Sequence, residues 1–308
     1  MSFTVEPLSP DLTFGKTVRG LTSEDIKDEA VRGQLRKLWV EDGLVVFRDG
    51  EINEDFHLAL SKIFGPLEAH PVKEILTEGK PELITLVSKP EDATVVVIDG
   101  EEGGGYLGWH TDLVYMKEIN HGGILRALTP SEIGGVTGFI DQVDAYNRLP
   151  EELKDKIDGL SVVYRLHSFE EQKYMTREPV KVLRSSPATM GVISRRDKDF
   201  PPVAHPLVFV QPETGRKVLN YSPFFAMYVE GMDPDESHKL LRQLSAHILD
   251  SRAYHHRWST DEMILWDNWR MLHSVTPVPL DEERVMQRTT IKGDYGVGRK
   301  LAFPEAAE

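Results

Sequence analysis

Arg284-Val285-Met286-Gln287-Arg288-Thr289-Thr290 reads as a β-strand, because period-two alternation sets Arg284, Met286 and Arg288 on one face. On an edge strand the two arginines would simply be solvated. Facing the interior of a barrel, they would be costly unless each met an anion. A guanidinium is suited to a carboxylate or sulfonate through paired hydrogen bonds. At a rise of ~3.3 Å per residue, positions four apart lie roughly 13 Å apart along the strand, enough to hold two anions on opposite sides of one metal.

Candidate metal ligands lie upstream. In Gly108-Trp109-His110-Thr111-Asp112 an extended backbone points residues i and i+2 to one face, so His110 and Asp112 can grip one ion. Trp266-Asp267-Asn268 leads on to a third ligand, His273. Two histidines and one carboxylate form the facial set that leaves open positions on a non-haem Fe(II). Alone, a His-x-Asp is more often a hydrogen-bonded surface pair and a lone histidine a satisfied core residue. His110 is, however, the only one of the 11 histidines with Asp two residues later. His255-His256 cannot easily share an ion, since adjacent strand residues face opposite ways.

Working outward, short strand candidates dominate from Glu82 onward: 83–87, 95–98, 123–127, 137–140, 161–164, 207–210, 218–221 and 263–266. Helical spacing marks a segment capped by Thr22 or Ser23 and ended by Gly43, and a second from Asn53 to Gly65. Two more helices are expected over 145–160 and 235–250. The glycines of Gly103-Gly104-Gly105-Tyr106-Leu107-Gly108 suggest a mobile flap; no strand-then-helix context makes them a phosphate cradle. Many short strands with a few helices outside them indicate a mostly β sandwich or barrel, and one domain over 1–308.

A net charge of −14 argues against a nucleic-acid or anionic-membrane surface, although a single pocket can still be cationic. The absence of cysteine excludes disulfides, thiolate metal sites and thiol catalysis. The N-terminus has no signal-peptide pattern, and the longest purely aliphatic run, Val95-Val96-Val97-Ile98, is too short to span a bilayer. A soluble cytoplasmic chain is the expectation.

Further pieces stand in a telling order: Phe64-Gly65-Pro66-Leu67, Trp109-His110-Thr111-Asp112, Gly134-Gly135-Val136-Thr137-Gly138-Phe139, Ala145-Tyr146-Asn147-Arg148-Leu149-Pro150, His205-Pro206-Leu207-Val208, Gly215-Arg216-Lys217, Val229-Glu230-Gly231-Met232, and Trp266-Asp267-Asn268 to His273, with Arg284 and Arg288 beyond. In this ordered set, which covers nearly the whole chain, the protein resembles the taurine dioxygenase / dichlorophenoxyacetate dioxygenase family of Fe(II)- and 2-oxoglutarate-dependent oxygenases. The resemblance implies a double-stranded β-helix (jelly-roll, cupin-like) core with flanking helices. It implies Fe(II) on His110, Asp112 and His273, and 2-oxoglutarate held by Thr137 and Arg284 with Trp266 lining the iron pocket. O2 would be the second cosubstrate, and succinate and CO2 would be released. A homodimer or homotetramer is usual for the family.

For the substrate, the resemblance places Arg288 and His70 on its anionic group, implying a small or medium organic anion: a sulfonate, alkyl sulfate, aryloxyalkanoate or other carboxylate. Hydroxylation next to a sulfonate, sulfate or ether oxygen would lead to C–S or C–O cleavage. His70 reads equally well as a loop histidine beside Pro71. Lys73 and Tyr106 depart from the tyrosine and asparagine of taurine dioxygenases, which speaks against taurine. Lys73 is either a second positive charge or an ordinary solvated lysine, and Tyr106 a wall that can stack on a ring. Phe224 is a candidate aromatic wall, with a core position the commoner fate. Trp269 replaces an arginine frequent after Trp-Asp-Asn, and neither it nor His121 receives a role. Two rival readings use the same residues: a zinc-dependent hydrolase on the same three ligands, and a non-catalytic binding barrel.

Overall fold

In strand Leu44–Arg48, Val45 and Phe47 face outward and pack with Val31, Leu35, Trp39, Phe56 and Leu60 of two helices. Leu44 and Val46 face inward, with Phe139 and Met271. The antiparallel neighbour Glu262–Asp267 repeats the pattern, with Met263 and Leu265 outward and Ile264 and Trp266 inward. A sheet covered on both faces reads as continuous apolar runs, which is why these strands are so hydrophobic.

The computed structural model describes residues 3–98, 100–176 and 180–301. These strands belong to an eight-stranded sheet in the order Thr4–Pro7, Lys16–Arg19, Leu44–Arg48, Glu262–Asp267, Gly122–Thr129, Arg284–Thr289, Lys80–Ser88, Leu76–Thr77. A four-stranded sheet runs Ala253–His256, Thr137–Asp141, Met271–Val275, Leu107–His110. Phe139 and Met271 of the small sheet meet Leu125, Ala127, Ile264 and Met286 of the large one in a shared apolar cluster. This is the jelly-roll core expected, with spatial neighbours drawn from distant parts of the chain. Arg284–Thr289 lies between two partners, so it is not an edge strand, and Arg284 and Arg288 are only 7% and 5% exposed. Among the described residues no helix is long and apolar enough to cross a membrane.

Local chemistry explains where the elements depart from expectation. The first helix splits: Asp25 accepts from the Thr22 N–H (3.0 Å) and hydroxyl (2.6 Å), closing a 3₁₀ turn over Asp25–Lys27. Asp28 then caps Glu29–Asp42 through the Ala30 N–H (2.8 Å), and Gly43 ends it in the left-handed region, as read from the sequence. Asn53 caps Glu54–Phe64 as expected. The 145–160 helix is two, Gln142–Asn147 and Glu151–Ile157, because Pro150 disfavours helical backbone at Leu149. The 207–210 strand is Val208–Val210, with Val203–Pro206 a separate strand before Leu207. Helix Pro187–Asp199 buries only Val192, so apolar periodicity passes over it.

The glycine-rich segment is a correction of another kind. Glu101–Gly104 pairs with Val95–Ile98, and Gly104 exchanges two 2.9 Å hydrogen bonds with Val278. A Cβ on Gly103 would lie 2.4 Å from Pro277 Cβ. These glycines serve close backbone approach in a docked strand rather than a flap.

Candidate metal centre and anion pocket

His110 ends its strand directly opposite His273 on the neighbouring one, which brings their rings together on one face, tilted at 48° with centroids 4.1 Å apart. His110 Nε2 is 3.6 Å from Asp112 Oδ1, and His273 Nε2 is 3.3 Å from Asp112 Oδ2. One donor atom from each of the three side chains lies within 4.8 Å of the others. His110 Nδ1 is 2.8 Å from the Gly108 carbonyl, which can only accept, so Nδ1 carries the proton and Nε2 the free lone pair.

Electrostatics suit the same role. Burial, then repulsion from His110, pushes His273 down to about 4, keeping it neutral near pH 7. Burial raises the Asp112 carboxyl, but the Arg288 charge and the two histidines outweigh it and hold the group well below the usual carboxylate range. Two imidazoles and one carboxylate, converging and largely buried, are a donor set that fits a divalent cation of the iron type.

A cavity of about 270 Å³ opens over these groups. Thr137, Trp266, Arg284, Arg288 and His70 line it, and Val72, Ile75, Ile84, Leu86, Leu107 and Phe225 make an apolar wall. Arg284 has no ion pair among the described residues, and burial brings its guanidinium down to about 10, still charged at neutral pH. Gly135, at φ 64, gives it room: a Cβ there would sit 2.5 Å from Arg284 Cδ. Thr137 Oγ1 accepts from Trp258 Nε1 at 2.8 Å, which leaves the threonine proton free to donate into the cavity.

Arg288 lies with Nη1 2.7 Å from Asp112 Oδ2, an ion contact, and its guanidinium 4.9 Å over the Trp266 ring. His70 Nδ1 accepts from the Val72 N–H at 3.1 Å, so the neutral ring carries its proton on Nε2. Burial and then the Arg288 charge push His70 down to about 4, which maintains that neutral donor.

Three expected substrate residues are not brought to this cavity. Lys73 is exposed in the 3₁₀ turn Lys73–Ile75, Tyr106 packs toward Phe169 with ring centroids 6.2 Å apart, and Phe224 is buried between Phe169 and Phe225. Their neighbours Val72, Ile75, Leu107 and Phe225 reach it instead. Trp269 is a core residue packed on Phe209 and Tyr295, and the arginine one position later, Arg270, forms a two-pronged bond to Asp141 at 2.8 and 2.7 Å. His121 packs on Trp39 and meets the Tyr295 hydroxyl at 3.2 Å. His255 is exposed and His256 buried against Glu262, so that pair shares no ion.

Comparison with known proteins agrees with this geometry. Residues 4–290 match the family described as Taurine catabolism dioxygenase TauD, TfdA family. An (S)-phenoxypropionate/alpha-ketoglutarate-dioxygenase of Sphingobium herbicidovorans is 32% identical over 98% of this chain and 99% of its own length. The alpha-ketoglutarate-dependent 2,4-dichlorophenoxyacetate dioxygenase of Cupriavidus pinatubonensis is 26% identical over 96% and 99% of the two chains. Among solved structures, a taurine dioxygenase from Burkholderia xenovorans superposes with a TM-score of 0.72 at 27% identity, over 99% of this chain and 96% of that one.

Proposed function

Since the chain belongs to the TauD, TfdA dioxygenase family and is an α-ketoglutarate-dependent dioxygenase, we propose that it uses Fe(II), 2-oxoglutarate and O2 to hydroxylate an organic anion with an apolar body. His110, Asp112 and His273 are the Fe(II) ligands, and Arg284 with the Thr137 hydroxyl takes the distal carboxylate of 2-oxoglutarate. Bound there, iron and 2-oxoglutarate supply an O2-driven oxidation that places a hydroxyl on a substrate carbon and releases succinate and CO2.

The protein's part is binding and orientation. Arg288 and the Nε2–H of His70 hold the substrate's anionic group, Trp266 supports the Arg288 guanidinium, and the apolar wall keeps water from the reacting carbon. Apart from Asp112, no carboxylate among the described residues lines the cavity, so an ammonium group such as that of taurine finds no second counter-ion there. The wall suits an aryloxyalkanoate or alkyl sulfate better. Hydroxylation of a carbon bearing ether or sulfate oxygen gives an adduct that collapses with C–O cleavage.

One observation carries this reading: Arg284, a buried guanidinium on a central strand without an ion pair among the described residues, faces the same cavity as the His110–Asp112–His273 set. A zinc hydrolase leaves Arg284 and Thr137 without purpose, a binding barrel leaves the three ligands so, and the family match supports neither. The test is anaerobic loading with Fe(II) and 2-oxoglutarate, followed by air and a panel of aryloxyalkanoates, alkyl sulfates and sulfonates, with succinate measured. Succinate should depend on Fe(II) and O2 and be greatest with apolar anions. Turnover of the panel with Zn(II) and no oxygen would sink the reading.

A further inference from the structure

The pairing of Leu107–His110 with Met271–Val275 stops at His110, opposite His273. Asp112 lies beyond the ladder, and Leu113, at φ 55, turns the chain away. Its backbone groups would be orphaned there, but one side chain meets both. Asn268 Oδ1 accepts from the Asp112 N–H at 2.9 Å, and Asn268 Nδ2 donates to the Asp112 carbonyl at 3.0 Å.

Asn268 is itself held. Its Nδ2 lies 3.1 Å from both the backbone and side-chain oxygens of Asn120, and its N–H donates to the His121 carbonyl at 2.8 Å. It is fully buried, at 0% exposure, in the turn joining Glu262–Asp267 to Met271–Val275, the strand that carries His273. From the other side, Ser222 Oγ accepts from the Thr111 N–H at 3.0 Å.

A primary amide presents acceptor and donor side by side, as a peptide group does, so Asn268 stands in for one residue of the strand that Asp112 no longer has beside it. The Asp112 backbone, from which the carboxylate projects, is therefore tied to the turn that launches the His273 strand. We propose that Asn268 is a positioning residue that fixes the Asp112 carboxylate relative to His273 and sets the metal affinity of the three-ligand set without touching the ion. This rests on the reading of His110, Asp112 and His273 as metal ligands. Partners of this kind typically carry ~10- to 100-fold of a site's metal affinity.

The test is a Mn(II) titration, free ion read by electron paramagnetic resonance, on the full chain and on Asn268→Ala, Asn120→Ala and His110→Ala, with thermal melts of each. The parent should bind Mn(II) and His110→Ala should not. Folded Asn268→Ala should bind about 10- to 100-fold more weakly. Asn120→Ala, which removes one acceptor of the Asn268 amide and keeps the reading testable if Asn268→Ala does not fold, should weaken binding roughly 2- to 10-fold. Variants that melt lower yet keep the parent's Mn(II) affinity would make the role purely structural and overturn the proposal. A parent that binds no Mn(II), or a His110→Ala variant that binds it equally, would instead refute the ligand assignment and the proposal with it.

Discussion

Gly135→Ala separates the backbone role of this glycine from its role as a space for Arg284. The residue sits at φ 64, and an added Cβ would lie 2.5 Å from Arg284 Cδ and 2.7 Å from Arg284 Nε. The left-handed conformation alone costs an alanine ~1–2 kcal/mol. Forcing a methyl into an occupied volume adds ~1–3 kcal/mol unless something moves. The flexible member of the contact is the arginine, so its guanidinium should shift. Losing one of its charge-assisted bonds to the distal carboxylate of 2-oxoglutarate is worth ~1.5–3 kcal/mol, which at ~1.4 kcal/mol per tenfold is roughly 10- to 150-fold in affinity.

Gly215→Ala is the matched control, since Gly215 has φ 68 but nothing within 4 Å of its added Cβ. It carries the backbone cost and no clash. Urea unfolding should show both variants destabilised, Gly135→Ala more so. Anaerobic titration of 2-oxoglutarate into the Fe(II) protein should show weakened binding for Gly135→Ala alone. If Gly135→Ala binds 2-oxoglutarate as tightly as Gly215→Ala does, the assignment of Arg284 to this carboxylate fails.

Trp258→Phe removes the donor to Thr137 Oγ1, freeing the hydroxyl to turn away, and should weaken 2-oxoglutarate roughly 2- to 10-fold. Adding Thr137→Ala to it should cost less than Thr137→Ala alone, measured by the same titration; strict additivity would show that the two do not act together. Away from the site, burial pushes His57 down to about 4, against an ordinary value of ~6.5. The unfolded chain takes the proton first, so the stability from the neutral histidine is complete above about pH 6.5 and falls, by up to roughly 3 kcal/mol, as pH drops toward 4. His57→Gln should flatten urea-unfolding stability between pH 7 and pH 5, and an unchanged slope would refute the assignment.

What could be read in the sequence, and what could not, divides along the regularity of the backbone. Arg284, Met286 and Arg288 lie on a central strand, where period two fixes the face and burial makes the face consequential. His110 and Asp112 were legible by the same spacing, although Asp112 has already left the ladder and keeps its place through Asn268, 156 residues away. No local pattern announces such a bond, nor the one from Trp258 to Thr137 across 121 residues. The apolar lining of the cavity escaped the sequence for a related reason. Val72, Ile75 and Phe225 lie in or beside the 3₁₀ turns Lys73–Ile75 and Pro223–Phe225, where neither a two- nor a 3.6-residue period applies. There the inward residue is chosen by what packs behind it: Phe169 takes Phe224 into the core and turns Phe225 to the cavity. The chemistry of this enzyme is thus carried by strands whose faces are set locally. On the proposed function, substrate choice falls to residues in or beside turns, whose inward faces are set by remote packing such as that of Phe169 on Phe224.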